Sequence, residues 1–128
     1  MQEHGLEGLR LLVVEDEYLI ASDLLMALEN AGARVFGPVS DVERAMEVVG
    51  ESGIDLDAAI LDINLGGELV YPAARILRER GMPFLFVTGY TFSSLPREFA
   101  AAPCLAKPVD ETQLIALVSG LRNARPTP

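Results

Sequence analysis

From Leu9 onward the chain alternates between two hydrophobic patterns. "LRLLVV", "DAAILD" and "PFLFVT" are short, nearly unbroken apolar runs, the mark of strands covered on both faces. Between such runs the apolar residues recur every three or four positions: Ile20, Leu24, Ala27, Leu28 and Ala31, then Ala45, Met46, Val48 and Val49, then Val70, Ala73, Ala74 and Leu77, and finally Leu114, Leu117, Val118 and Leu121. That spacing gathers a stripe on one side of a helix. Gly32 and Gly81 stand where the first and third helices should stop, Ser40 with Glu43 has the form of a capping box, and Asp110 can cap the last helix. The pattern predicts strands at 11–14, 35–37, 58–61, 84–87 and 103–106. Helices are expected over 17–31, over 41–50, from Val70 to a stop at Gly81, and from about 110. "TFSSLPREFAAA" carries Pro96 and two serines, so the helix there should be short, broken or mobile.

Strands and helices in alternation predict an α/β fold, a doubly wound five-stranded parallel sheet with helices on both faces and a weak fourth helix. Residues 1–128 fit one domain, with a core over about 9–122 and flexible tails in "MQEHGLE" and "NARPTP". In such sheets ligands bind outside the carboxyl ends of the strands.

Composition narrows this picture. Half of the residues are hydrophobic and only 6% aromatic, with no Trp, so the core must be built from Leu, Val, Ile and Ala, with Cys104, Met26 and Met46 as filler. A net charge of −9 argues against nucleic acid as a direct partner, because such binding begins with a basic footprint. One cysteine leaves no intramolecular disulfide and fits a reducing cytoplasm, and the apolar run before Glu15 is too short to cross a membrane.

The residues just past the expected strands carry the chemistry. Glu15 and Asp16 follow the first, Asp62 the third, Thr88 the fourth and Lys107 the fifth. Three carboxylates on one edge repel each other and would take up protons at neutral pH without a cation, for which Mg²⁺ (or Mn²⁺) suits the oxygen donors. Asp62 could then attack phosphorus, while Lys107 and Thr88 neutralise the phosphoryl oxygens. Each residue also has a plain reading: Asp16 as a helix cap, Asp62 and Asn64 as loop, Thr88 as ordinary strand chemistry, Lys107 as a solvated loop lysine. Glu17 reads as an early-helix acid favoured by the dipole, and Arg75, Arg78, Glu79 and Arg80 as a solvated helix face.

"VVEDE", "LDINL", "FVTGY" and "AKP", in that order, resemble the receiver domain of bacterial two-component response regulators, a flavodoxin-like (βα)5 fold. The resemblance implies that Asp62 is the phosphoacceptor, that Asp16 binds the metal directly and Glu15 mainly through water, and that Asn64 supplies its backbone carbonyl. It implies Thr88 and Lys107 contacting the phosphoryl group, a cis Lys107–Pro108 peptide, and a shift of the surface around the fourth helix and fifth strand on phosphorylation. Such a chain is a signalling phosphoacceptor rather than an enzyme of metabolism, cytoplasmic, monomeric or weakly dimeric. Its expected partners are a sensor histidine kinase and a phosphotransferase or downstream regulator.

Two positions depart from the family's common pattern. Where most receivers carry an aromatic switch residue, three before the lysine, this chain has Cys104. "PFLFVTGY" is instead close to the Pro-Phe-x-Phe-Ala-Thr-Gly-Gly/Tyr signature of single-domain receivers that look like partners of HWE and related kinases, with Val87 in place of Ala. Tyr90 and the segment 91–102 are therefore expected to carry the switch. A haloacid-dehalogenase-type phosphatase is the nearest enzyme alternative, but there the nucleophile comes first in the chain as Asp-x-Asp, and here Asn64 stands in place of the second acid. A nucleotide-binding module lacks its glycine and lysine motifs, and a receiver that docks without phosphorylation remains the third alternative.

Overall fold

The computed structural model describes residues 5–51, 55–89 and 95–124. Five strands, β1 (Arg10–Val14), β2 (Arg34–Val39), β3 (Ala58–Asp62), β6 (Phe84–Thr88) and β7 (Cys104–Ala106), form one sheet in the order β2-β1-β3-β6-β7, with every pair parallel. A two-stranded hairpin, β4 (Asn64–Leu65) and β5 (Glu68–Leu69), leaves the end of β3. Among the described residues the α-helices are α1 (Tyr18–Asn30), α2 (Val42–Gly50), α3 (Tyr71–Glu79) and α4 (Glu111–Ala124). The order reverses between β1 and β3, so the crevice for a ligand opens at their carboxyl ends.

Apolar side chains alternate to the two faces of each strand and fill two cores. Leu11, Val13, Ile60, Leu85 and Val87 meet Leu24 and Leu28 of α1 and Leu114 and Val118 of α4. On the other face Leu12, Leu61 and Phe86 meet Val42, Ala45 and Val49 of α2 and Ala73, Ala74 and Leu77 of α3. All five residues of β3, the central strand, are buried, which explains its unbroken apolar run up to Asp62.

Gly37 marks an irregularity of the sheet. The register of β2 against β1 shifts between Leu12 and Val14, and Gly37 has φ +118° and is followed by a cis bond to Pro38. A Cβ on Gly37 would lie 2.5 Å from the Val13 carbonyl oxygen, so no other residue fits there. Beyond the bulge the ladder resumes, with Glu15 N–H donating to Val39 O at 2.9 Å.

Several local expectations change in the folded chain. The N-cap of α2 is Asp41 rather than Ser40, its carboxylate accepting from Arg44 N–H at 2.7 Å. "LGGE" is a tight hairpin, with Gly66 at φ +63° and Gly67 at φ +102° between β4 and β5, where the pattern showed only a turn. The leading stretch is not wholly a tail: Leu6 is fully buried in the core beside α1 and α4, and its N–H donates to Ala31 O at 2.9 Å. Met26 and Met46 lie exposed rather than in the core, and so does Cys104, because its strand turns that position outward. The segment before β7 is as weakly helical as its Pro96 implies: its described part holds one 3-10 turn, Arg97–Phe99.

That turn is anchored by its own chemistry. Phe99 is buried in an aromatic cluster, stacked on Tyr71 at 5.5 Å and edge-on to Phe84 and Phe86 at 5.9 and 5.5 Å. Glu98 accepts from both Arg75 and Arg78 of α3, and the Arg78 guanidinium also lies 4.9 Å over the Phe99 ring. The arginines expected to form only a solvated face thus tie two elements together.

Candidate functional site

Each residue singled out at a strand end arrives at the same edge. Glu15 and Asp16 leave β1, Asp62 ends β3, Thr88 ends β6, and Lys107 follows β7 with its N–H donating to Thr88 O at 2.8 Å. The parallel register produces this convergence, since Asp62 pairs with Val87 and Thr88 with Ala106, each one residue from the next group of the site. Lys107–Pro108 is cis, as the resemblance implies.

Lys107 is the hub. Its Nζ lies 3.0 Å from Glu15 Oε1, 3.0 Å from Glu17 Oε1 and 3.2 Å from Asp62 Oδ2. The three acids differ in setting. Glu15 and Asp62 are buried, with side chains 0% and 5% exposed, whereas the Glu17 side chain is 60% exposed. Burial opposes the charge on Lys107, but bonding to Glu17 and Glu15 and the Asp62 charge outweigh it and raise its pKa above the ordinary lysine value.

Glu15 shows the opposite balance. Burial and the neighbouring Asp62 carboxyl push its pKa from 4.5 up to about 7, against the pull of the Glu17 N–H and Lys107. The Glu17 N–H donates to Glu15 Oε2 at 3.1 Å, but Oε1 is buried without a hydrogen-bond partner among the described residues and meets Lys107 only as an ion pair. An orphaned buried carboxylate oxygen is costly unless something else satisfies it.

A divalent ion fits that need. Glu15, Asp16, Glu17 and Asp62 each place a carboxylate oxygen within 4.8 Å of the others, a donor set of hard oxygens that suits Mg²⁺ or Mn²⁺. Asp16 is exposed at the mouth, and a Cβ on Gly66 would meet its Oδ2 at 3.6 Å, so the hairpin turn leaves that oxygen clear. Asp16 does not cap α1; the N-cap is Glu17, whose side chain caps nothing and turns to Lys107 instead. Asn64 donates its backbone N–H to Asp62 Oδ1 at 3.3 Å, and its side-chain oxygen accepts from Gly67 N–H at 2.7 Å, which leaves the backbone carbonyl as the donor it could offer. Thr88 is buried at the strand end beside the cluster.

Tyr90, the switch candidate, lies outside the described residues. Glu17 is the side chain of this cluster that the sequence pattern undervalued. Its signal was there in the third acid of "EDE", but nothing in the chain order shows that Lys107, 90 residues on, comes back to it. The cluster sits at one end of a groove of 930 Å³ that continues between α1 and α4, past Ile20, Asp23, Ala27 and Leu114. No helix among the described residues is long and apolar enough to cross a membrane.

Comparison with known proteins places this architecture. No family model and no curated protein matches the chain. Among solved structures it is similar to a response regulator receiver protein from Sinorhizobium medicae, with 31% identity, 94% of this chain and 99% of that one covered, and a TM-score of 0.79. It is also similar to SdrG from Sphingomonas melonis, with 38% identity, 88% and 95% coverage and a TM-score of 0.77. The receiver domain of the Erythrobacter litoralis PhyR response regulator shares the fold, with a TM-score of 0.80 at 23% identity over 95% of each chain.

Proposed function

The chain belongs to the receiver domains of response regulators, and from that premise we propose that it is a phosphoacceptor of a two-component or phosphorelay system, taking a phosphoryl group onto Asp62 from a histidine kinase. The observation that carries the proposal is the Lys107 ammonium held 3.2 Å from Asp62 Oδ2 within a cluster of acids at the ligand-binding edge of the sheet. An Asp62 oxygen forms a bond to phosphorus as the bond from phosphorus to the donor's imidazole nitrogen breaks and its electron pair stays with the imidazole. Lys107 and the Thr88 hydroxyl are the groups that receive the phosphoryl oxygens as charge shifts onto them. Asp62, Asp16 and the Asn64 carbonyl would hold a Mg²⁺ ion, with Glu15 behind them. When bound, that ion supplies positive charge beside the phosphoryl oxygens and relieves the repulsion among the acids.

The chain catalyses only its own phosphorylation and dephosphorylation, in the cytoplasm. HWE and related kinases are the expected donors, and a phosphotransferase or downstream regulator the recipient. In the absence of the usual aromatic at Cys104, Tyr90 couples Thr88 to the following segment. Tyr90→Ala should then abolish phosphorylation-linked amide shifts at residues 95–102 while leaving phosphoryl uptake intact; shifts of wild-type size would exclude Tyr90 as the switch.

The decisive experiment is intact-mass and peptide-mapping spectrometry after incubation with acetyl phosphate and Mg²⁺. One phosphoryl group on Asp62 is expected, lost in Asp62→Asn and with chelator. A group on another residue would refute the assignment. No uptake from acetyl phosphate or from any histidine kinase would leave a receiver that only docks.

A further inference from the structure

Lys107 is enclosed by acids. An ammonium carries three N–H bonds, and three carboxylate oxygens stand around this one: Glu15 Oε1 at 3.0 Å, Glu17 Oε1 at 3.0 Å and Asp62 Oδ2 at 3.2 Å. Glu17 and Asp62 accept its hydrogen bonds and Glu15 Oε1 meets it as an ion pair, so a phosphoryl oxygen on Asp62 must compete with these carboxylates for the ammonium. Glu15 and Asp62 cannot readily leave, because their side chains are 0% and 5% exposed and are fixed by backbone N–H donors from Glu17 and Asn64. Glu17 can. Its side chain is 60% exposed, contacts Lys107 from the solvent side and caps nothing in α1, so it exchanges its ion pair for water at little cost.

We propose that Glu17 is a displaceable placeholder that holds Lys107 in the resting site and competes with the incoming phosphoryl group for it. Glu17 is thus a positioning residue that sets how readily the site accepts a phosphoryl group, a role beyond the phosphoacceptor reading on which it rests. Two features favour competition over metal binding as its main part. Its Oε1 accepts from the ammonium at 3.0 Å, and its side chain is the most exposed of the three acids around Lys107.

The test uses beryllium fluoride, which occupies the phosphoryl position without a covalent step, titrated at saturating Mg²⁺ and followed by fluorine NMR. Glu17→Gln should bind the probe about two- to fivefold more tightly than wild type, the span of an exposed ion pair. Glu17→Asp keeps the charge on a side chain one methylene shorter, too short to reach Nζ, and should behave like Glu17→Gln. Asp23→Asn, which removes a charge from the same groove without touching Lys107 among the described contacts, should bind as wild type does. Added salt should tighten the probe on wild type relative to Glu17→Gln, because screening weakens the exposed pair first.

Equal affinity in wild type, Glu17→Gln and Glu17→Asp would overturn the placeholder while leaving the phosphoacceptor reading in place. Glu17→Asp matching wild type while Glu17→Gln and Asp23→Asn both gain would also overturn it, reducing the effect to net charge. Failure of wild type to bind the probe, with the Asp62→Asn control equally silent, would overturn both.

Discussion

Glu15 shows how one residue can be unstable where it stands and still belong there. Its carboxyl is buried beside Asp62 and Lys107, and its pKa is pushed up to about 7, mainly by burial. The folded chain therefore holds that proton more tightly than the unfolded chain, so Glu15 costs nothing below about pH 4.5 and its cost grows as pH rises to about 7. Without divalent ion, wild type should lose stability across that interval, and Glu15→Gln should flatten the loss in urea titrations. Saturating Mg²⁺ should stabilise wild type by about 2.7 kcal/mol at one hundred times its dissociation constant. A chelated protein with the same pH slope in both variants would mean that Glu15 does not carry the strain.

At the scale of elements, the join between α3 and the turn before β7 combines an ion pair with an aromatic core. Arg75 and Arg78 hold the Glu98 pKa well below the carboxylate range, at about 2. Because that folded value lies under the unfolded one, the pairing contributes stability above about pH 4.5 that is lost as pH falls toward 2. Glu98→Gln should thus lower stability modestly at pH 7 and not at pH 2, and raise amide exchange in residues 95–102. An unchanged exchange rate would assign the anchoring to Phe99 alone. The short turn itself was foreseeable from Pro96 and the serines, but its attachment was not, because Arg75 and Glu98 are 23 residues apart and their meeting depends on how α3 lies.

Across the whole molecule, two apolar cores share one sheet. Leu28 sits in the layer beneath α1 and α4, Leu77 in the layer beneath α2 and α3, and both are fully buried. Leu28→Ala and Leu77→Ala should each cost about 2–5 kcal/mol. Since β1, β3 and β6 line both layers, each variant should still unfold in one transition, with far-ultraviolet dichroism and tyrosine fluorescence coincident. Separate transitions would mean that the layers fold independently.

What the amino-acid order determined alone is periodic or local. Runs such as "AAILD" must be strands buried on both faces, the three- and four-residue stripes must be helices, and the alternation of the two implies a parallel sheet whose strand ends carry Glu15, Asp16, Asp62, Thr88 and Lys107. Hydrophobic burial acts on each segment wherever it lies, so its trace survives in the linear pattern. What only the tertiary structure decided is which side of an element faces which neighbour. Cys104, Met26 and Met46 point outward, Leu6 is drawn into the core, and Glu17 turns from α1 to Lys107. Those outcomes depend on the register of β6 with β7 and the close approach at Gly37, contacts between residues far apart in the chain, and no local periodicity encodes such a distance.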